Sequence, residues 1–133
     1  MVHSNDFLAL FDVAKIENYF FADYGSIVSF FKIISENIDE DITKIASGFS
    51  NNDIPALRNA LHTIKPVFGI SGLPHIQKAV DDFHALCYQS NSMDDIRGAY
   101  EKLRPMLQEA KELISTQSQI FQEKGKKYDI KHC

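Results

Sequence analysis

Arg58, His62, Lys65 and Gly69 have types and spacing that fit chemistry on one face of a helix. Each helical residue advances about 100° around the axis. With His62 at zero, Arg58 falls at about −40°, Lys65 at about −60°, Pro66 at about +40° and Gly69 at about −20°. Ile54, Leu57, Leu61, Ile64 and Phe68 instead share an arc centred about −120° away. The apolar stripe therefore turns from His62, which is expected to stand in solvent between two cations and a residue without a side chain.

An exposed imidazole with a free ring nitrogen is a nucleophile near neutral pH. A lysine one turn later on the same side can pair with an anion attached to that nitrogen. Gly69 costs about 1 kcal/mol of helix stability relative to alanine, and on this face it is expected to clear room for a second macromolecule. Taken together, the residues describe an imidazole that takes up a phosphoryl group from a large partner. A helical histidine alone would be an ordinary surface residue; the lysine spacing and the opposed apolar stripe lift it above that. For Arg58, a solvating charge and a docking contact both stay open.

The elements that must hold this face follow from periodicity. Asp12 is the expected N-cap of a short helix from about Val13 to Tyr19, and Ala22–Gly25 looks like a break. Ile27, Phe30, Phe31, Ile34, Ile38, Ile42 and Ile45 recur at three- and four-residue steps, predicting a long helix over about 24–47 with Gly48 as its C-cap glycine. Asn52 or Asp53 caps the histidine helix, with Pro55 in its first turn, and that helix stops at Gly72. A fourth helix begins at Leu73-Pro74, with Ile76, Val80, Phe83, Leu86 and Cys87 inward. A fifth follows a capping-box-like Ser92–Asp95, carrying Ile96, Tyr100, Leu103, Leu107, Ala110, Leu113 and Ile114. Pro66 and Pro105 each remove a helical N–H and are expected to bend their helices. The short loops make neighbouring helices antiparallel. The predicted fold is all-α: an antiparallel four-helix bundle with a short additional N-terminal helix over residues 1–118, then a polar, basic, frayed tail over 119–133.

His62-Thr63-Ile64-Lys65, followed by Gly69 and Gly72, resembles the His-x-Leu-Lys-Gly and downstream glycine pattern of histidine-containing phosphotransfer (HPt) domains. The resemblance covers about the first 115 residues, and Pro66 stands where the family often has glycine. It implies a phosphorelay intermediate: His62 accepts a phosphoryl group from a receiver-domain aspartate and passes it to another receiver, with Lys65 stabilising the phosphoryl charge. Docking through the histidine helix and the adjacent long helix makes Arg58, Pro66, Gly69, Ser29 and Lys32 candidate partner contacts. The implied partners are response-regulator receiver domains or a hybrid histidine kinase. No cofactor is expected on this chain; Mg2+ is expected on the receiver.

Composition excludes other classes. A net charge of −4 lacks the basic footprint of a nucleic-acid binder. No apolar run approaches the ~20 residues of a membrane span, and the start has no basic-then-apolar layout of a secretory signal, so the expected location is the cytoplasm. Gly69-Ile70-Ser71-Gly72 lacks the Lys-Ser pair and preceding strand of a phosphate loop, so an ATP-using kinase is not expected. His75 and His84 have no His-x-x-x-His spacing or neighbouring cysteines, and Cys87 and Cys133 form no metal or disulfide pattern. A free-standing, monomeric shuttle is the expectation. The alternatives are an adaptor that binds a receiver or kinase without accepting phosphate, a structural helical module with an unrelated partner and, more distantly, a metal-binding bundle.

Overall fold

In the computed structural model the chain forms α1 (Val13–Tyr19), α2 (Tyr24–Ser50), α3 (Ile54–Ile70), α4 (Pro74–Gln89) and α5 (Met93–His132), preceded by a 3-10 turn at Ser4–Asp6. The structure describes residues 2–90 and 92–132, with residues 126–132 described by backbone alone.

Cross-helix pairs give the topology. Along α2 and α5, Phe49 stacks on Tyr100, Asp39 pairs with Lys111, and Phe31 meets Phe121, so these helices run antiparallel. Arg58 meets Cys87 and Lys65 meets Asp81, which sets α3 antiparallel to α4. Phe83 meets Tyr100 while His75 meets Glu109, so α4 is antiparallel to α5. From α2 to α5 each helix lies beside the next, and α5 closes onto α2, making an up-and-down four-helix bundle with α1 against α3.

The start signals fall where their chemistry requires. Asp12, Asp23 and Asp53 each accept a hydrogen bond from a first-turn N–H, those of Lys15, Ser26 and Ala56. Gly72, at φ +75°, ends the α3 turn in the left-handed region. A Cβ there would lie 2.8 Å from the Asp12 carbonyl oxygen, and that carbonyl belongs to the residue whose N–H donates to Gly72 O at 2.7 Å. This glycine therefore both closes α3 and seats α1. Pro66 and Pro105 lie within continuous helices, although each leaves the carbonyl four residues earlier (His62 and Glu101) without its usual N–H partner.

Two expectations are corrected. Gly48 is not a cap: α2 continues to Ser50, and Gly48 is buried where α2 crosses α3. A Cβ at this position would lie 2.9 Å from the Leu57 backbone nitrogen, so the glycine sets how closely the two helices approach. The packed bundle also does not end at residue 118. Phe121 is fully buried, edge-on to Phe7 and Phe31. Buried Gln117 accepts from Leu8 N at 2.7 Å and donates to Asp6 O at 3.0 Å, fastening the N-terminal segment to α5. The side chains of the remaining predicted tail, from residue 126, lie outside the described residues.

Candidate functional site

Leu57, Leu61, Ile64 and Phe68 are all 0% exposed, and Ala60 completes the buried face of α3. Their burial fixes the rotation of the helix about its axis. His62 consequently lies exposed on the outer ridge, with Thr63 and Pro66 also exposed beside it.

The α4 side of the ridge carries the charged groups. Lys65 Nζ lies 3.3 Å from Asp81 Oδ1 and 3.4 Å from His84 Nδ1. The lysine expected to wait for a phosphoryl group is thus already engaged. That engagement is loose: the Lys65 and Asp81 side chains are 35% and 43% exposed, and Asp81 Oδ1 has no aligned hydrogen-bond donor. An ion pair so exposed is worth about 1 kcal/mol or less.

His84 is 8% exposed, its ring centroid 6.3 Å from that of His62 and 5.2 Å from that of Tyr88. Burial, and then the Lys65 cation, hold its imidazole below the ordinary histidine range. The lowered affinity favours the neutral ring, and since an ammonium can only donate, Nδ1 is the acceptor in the lysine contact. The proton then sits on Nε2, a buried atom with no partner.

Arg58 is half-buried. Its Nε and Nη2 donate to the Cys87 carbonyl at 3.1 and 2.8 Å, and its guanidinium lies 4.4 Å from the Tyr88 ring centroid. It satisfies an end carbonyl of α4 and locks α3 to α4.

Gly69 does not open onto free space. A Cβ there would lie 2.8 Å from Gln77 Nε2, and Gln77 Oε1 in turn accepts from Lys15 Nζ at 3.3 Å. The gap above Gly69 is filled by a flexible amide of the same chain, a correction to the expectation of a cleared landing place.

Ser29 and Lys32 are exposed on α2. With Gly48 beside Leu57, His62 is level with about residue 43, so Lys32 lies about 16 Å further along the bundle. Ser29 lines a shallow depression there with Phe30 and Ile33. Neither residue joins the His62 cluster, although both lie on the long helix adjacent to α3.

The groups that sequence reasoning missed are Asp81 and His84. The signal was present in α4. His84 falls about 40° from Val80, just beyond the Val80 edge of the arc that holds Phe83, Ile76, Cys87 and Val80, whereas Leu86 falls about 120° from Val80. Accordingly His84 is buried and Leu86 only half-buried.

Among the described residues, no three His, Cys, Asp or Glu side chains converge as metal ligands. Among the same residues, no helix is long and apolar enough to cross a membrane.

No curated protein and no solved structure matches this chain. A family model described as Hpt domain matches residues 29–113, a span that takes in α3 and α4 whole, with His62, Lys65, Asp81 and His84 inside it. It stops short of the part of α5 that carries Gln117 and Phe121. With an all-helical bundle, an exposed helical histidine and this match in hand, the chain belongs to the Hpt family, the histidine phosphotransfer domains of two-component phosphorelays, which carry phosphoryl groups rather than draw them from ATP.

Proposed function

We propose that His62 accepts a phosphoryl group from the phospho-aspartate of a receiver domain and passes it to a second receiver, the chain acting as a soluble relay between them. The observation that carries this reading is the exposure of His62 on a helix whose opposite face, from Leu57 to Phe68, is buried in the bundle. A nucleophile that must reach a phospho-aspartate on a second protein has to stand clear of its own fold, and the ridge of α3 meets that need.

In the transfer, a lone pair on the neutral His62 imidazole attacks phosphorus in line with the leaving oxygen. The N–P bond forms, the O–P bond to aspartate breaks, and the carboxylate departs with the electron pair. The loose transition state spreads negative charge over three phosphoryl oxygens. Lys65, one turn away, is close enough to meet that charge once it leaves Asp81. The magnesium ion that neutralises the rest belongs to the receiver in this scheme.

Lys65 being held by Asp81 and His84 is the feature that favours the second reading, an adaptor that binds a receiver or kinase without taking up phosphate. Discharge separates the two. Chain that has been loaded with radiolabelled phosphate should lose it to a second, unphosphorylated receiver within minutes. Receiver binding with no label ever carried on the chain would establish the adaptor.

A further inference from the structure

The Lys65–Asp81–His84 cluster is not accounted for by a histidine and a lysine alone. Lys65 Nζ donates to His84 Nδ1, which requires that nitrogen to be unprotonated. A charged imidazolium would need a proton at the position the lysine now occupies. Lysine contact and His84 protonation therefore exclude one another. The charged groups facing His84 are Lys65 and Arg58 from α3 and Asp81 from its own helix, with the titratable His62 ring across from it and the Tyr88 ring beside it. In the resting chain burial first, and then the neighbouring cations, outweigh the single carboxylate and favour the neutral ring, with its Nε2 buried and unpartnered.

A phosphoryl group on His62 reverses the electrostatic part of that balance. The group is doubly anionic near neutral pH, offset by up to one positive charge while the phosphorylated ring keeps its second N–H. It sits on a ring whose centroid lies 6.3 Å from that of His84. It also offers Lys65 a stronger partner than Asp81 Oδ1, which the lysine meets at 3.3 Å without hydrogen-bond alignment. Lys65 sits three residues from His62, so a rotation of its side chain suffices. Its departure frees the Nδ1 lone pair, removes a repelling cation and leaves Asp81 uncompensated one turn from His84.

We propose that His84 is a positioning residue for the phosphorylated state: when His62 gains a phosphoryl group, Lys65 moves from Asp81 and His84 to the phosphoryl oxygens, and His84 takes up one proton from solvent. This deepens, and rests on, the reading of His62 as phosphoacceptor. The bound proton balances part of the added charge and keeps Asp81 paired after its lysine has gone. By linkage, transfer onto His62 is then coupled to proton uptake and favoured by lower pH.

The test uses the full chain with phosphoramidate as a small phosphodonor, following the imidazole signals of His84 by NMR across pH 5 to 8. The expected result is a rise in the His84 titration midpoint of about one pH unit or more on phosphorylation, the size expected of a charge about 6 Å away at the protein surface. A midpoint that stays put while His62 carries acid-labile phosphate overturns this proposal and leaves the acceptor assignment standing. Absence of phosphate on His62 under every donor overturns both. A second measurement compares the wild type with His84→Gln, which keeps a hydrogen-bonding side chain that cannot titrate. The quotient of their phosphorylation equilibria with one receiver should change by up to tenfold per pH unit between the two midpoints. A quotient independent of pH contradicts the coupling. Should His84→Gln fail to fold, the titration of the native protein decides alone.

Discussion

Arg58 of α3 and the carbonyl of Cys87 in α4 are joined by two hydrogen bonds, from Nε at 3.1 Å and Nη2 at 2.8 Å. The last carbonyls of a helix have no intrahelical partner, and a forked cation answers both that vacancy and the negative end of the helix dipole. Arg58→Ala should cost about 1–2 kcal/mol, read as a lower urea midpoint at unchanged slope. Arg58→Lys should recover part of the charge term but not the fork. A stable Arg58→Ala chain with slowed transfer would instead make Arg58 a docking residue.

Gly48 and Gly69 respond oppositely to alanine. At Gly48 the new methyl meets the Leu57 backbone, which cannot move without parting α2 from α3. Gly48→Ala should destabilise by about 1–3 kcal/mol. At Gly69 it meets only the end of the Gln77 side chain, which can swing away. Gly69→Ala should therefore be neutral or stabilising by up to about 1 kcal/mol, the intrinsic helix preference of alanine. Thermal melts of the two variants side by side give the sign of each.

Phe121 tests where the packed bundle ends. It is fully buried against Phe7 and Phe31. Phe121→Ala should cost about 3–5 kcal/mol, measured by denaturant unfolding, whereas a frayed tail would give no change.

Phe121 also shows what the sequence could and could not reveal. Local signals were legible because their causes are local: Asp12 and Asp53 as N-caps, the left-handed Gly72 and the stripe Leu57–Leu61–Ile64–Phe68 all depend on residues within a turn or two. The rotation of α3 follows from that stripe, so His62 in solvent was readable. Long-range partners were not. Nothing within a turn of Phe121 announces that Phe7 and Phe31 wait for it, and Gln117 looks like any polar helix residue until the backbone of Asp6 and Leu8 is brought alongside. Gly48 and Gly69 looked like a cap and a clearing because the side chains that fill their spaces come from other helices. Lys65 looked free for the same reason, its two partners lying on α4.

His84 gives stability a pH dependence of definite sign. Burial and the neighbouring lysine lower its folded affinity for protons relative to the unfolded chain. As pH falls through the ordinary histidine range, about 6.5, the unfolded state binds the proton first. Stability from the neutral, buried ring is thus complete above that range and declines as pH falls toward the lowered folded value. Unfolding free energies at pH 7.5 and 5.5 should show this decline in the wild type, and His84→Gln should reduce it. A variant with an unchanged pH profile would place the titrating group elsewhere.

The most direct measurement is transfer itself. Incubated with a receiver carrying labelled phospho-aspartate, the wild-type chain should acquire label that is stable in base and lost in acid, as a phosphorus–nitrogen bond requires. His62→Gln should remain bound by the receiver and acquire none. Equal labelling of the two chains would contradict the account.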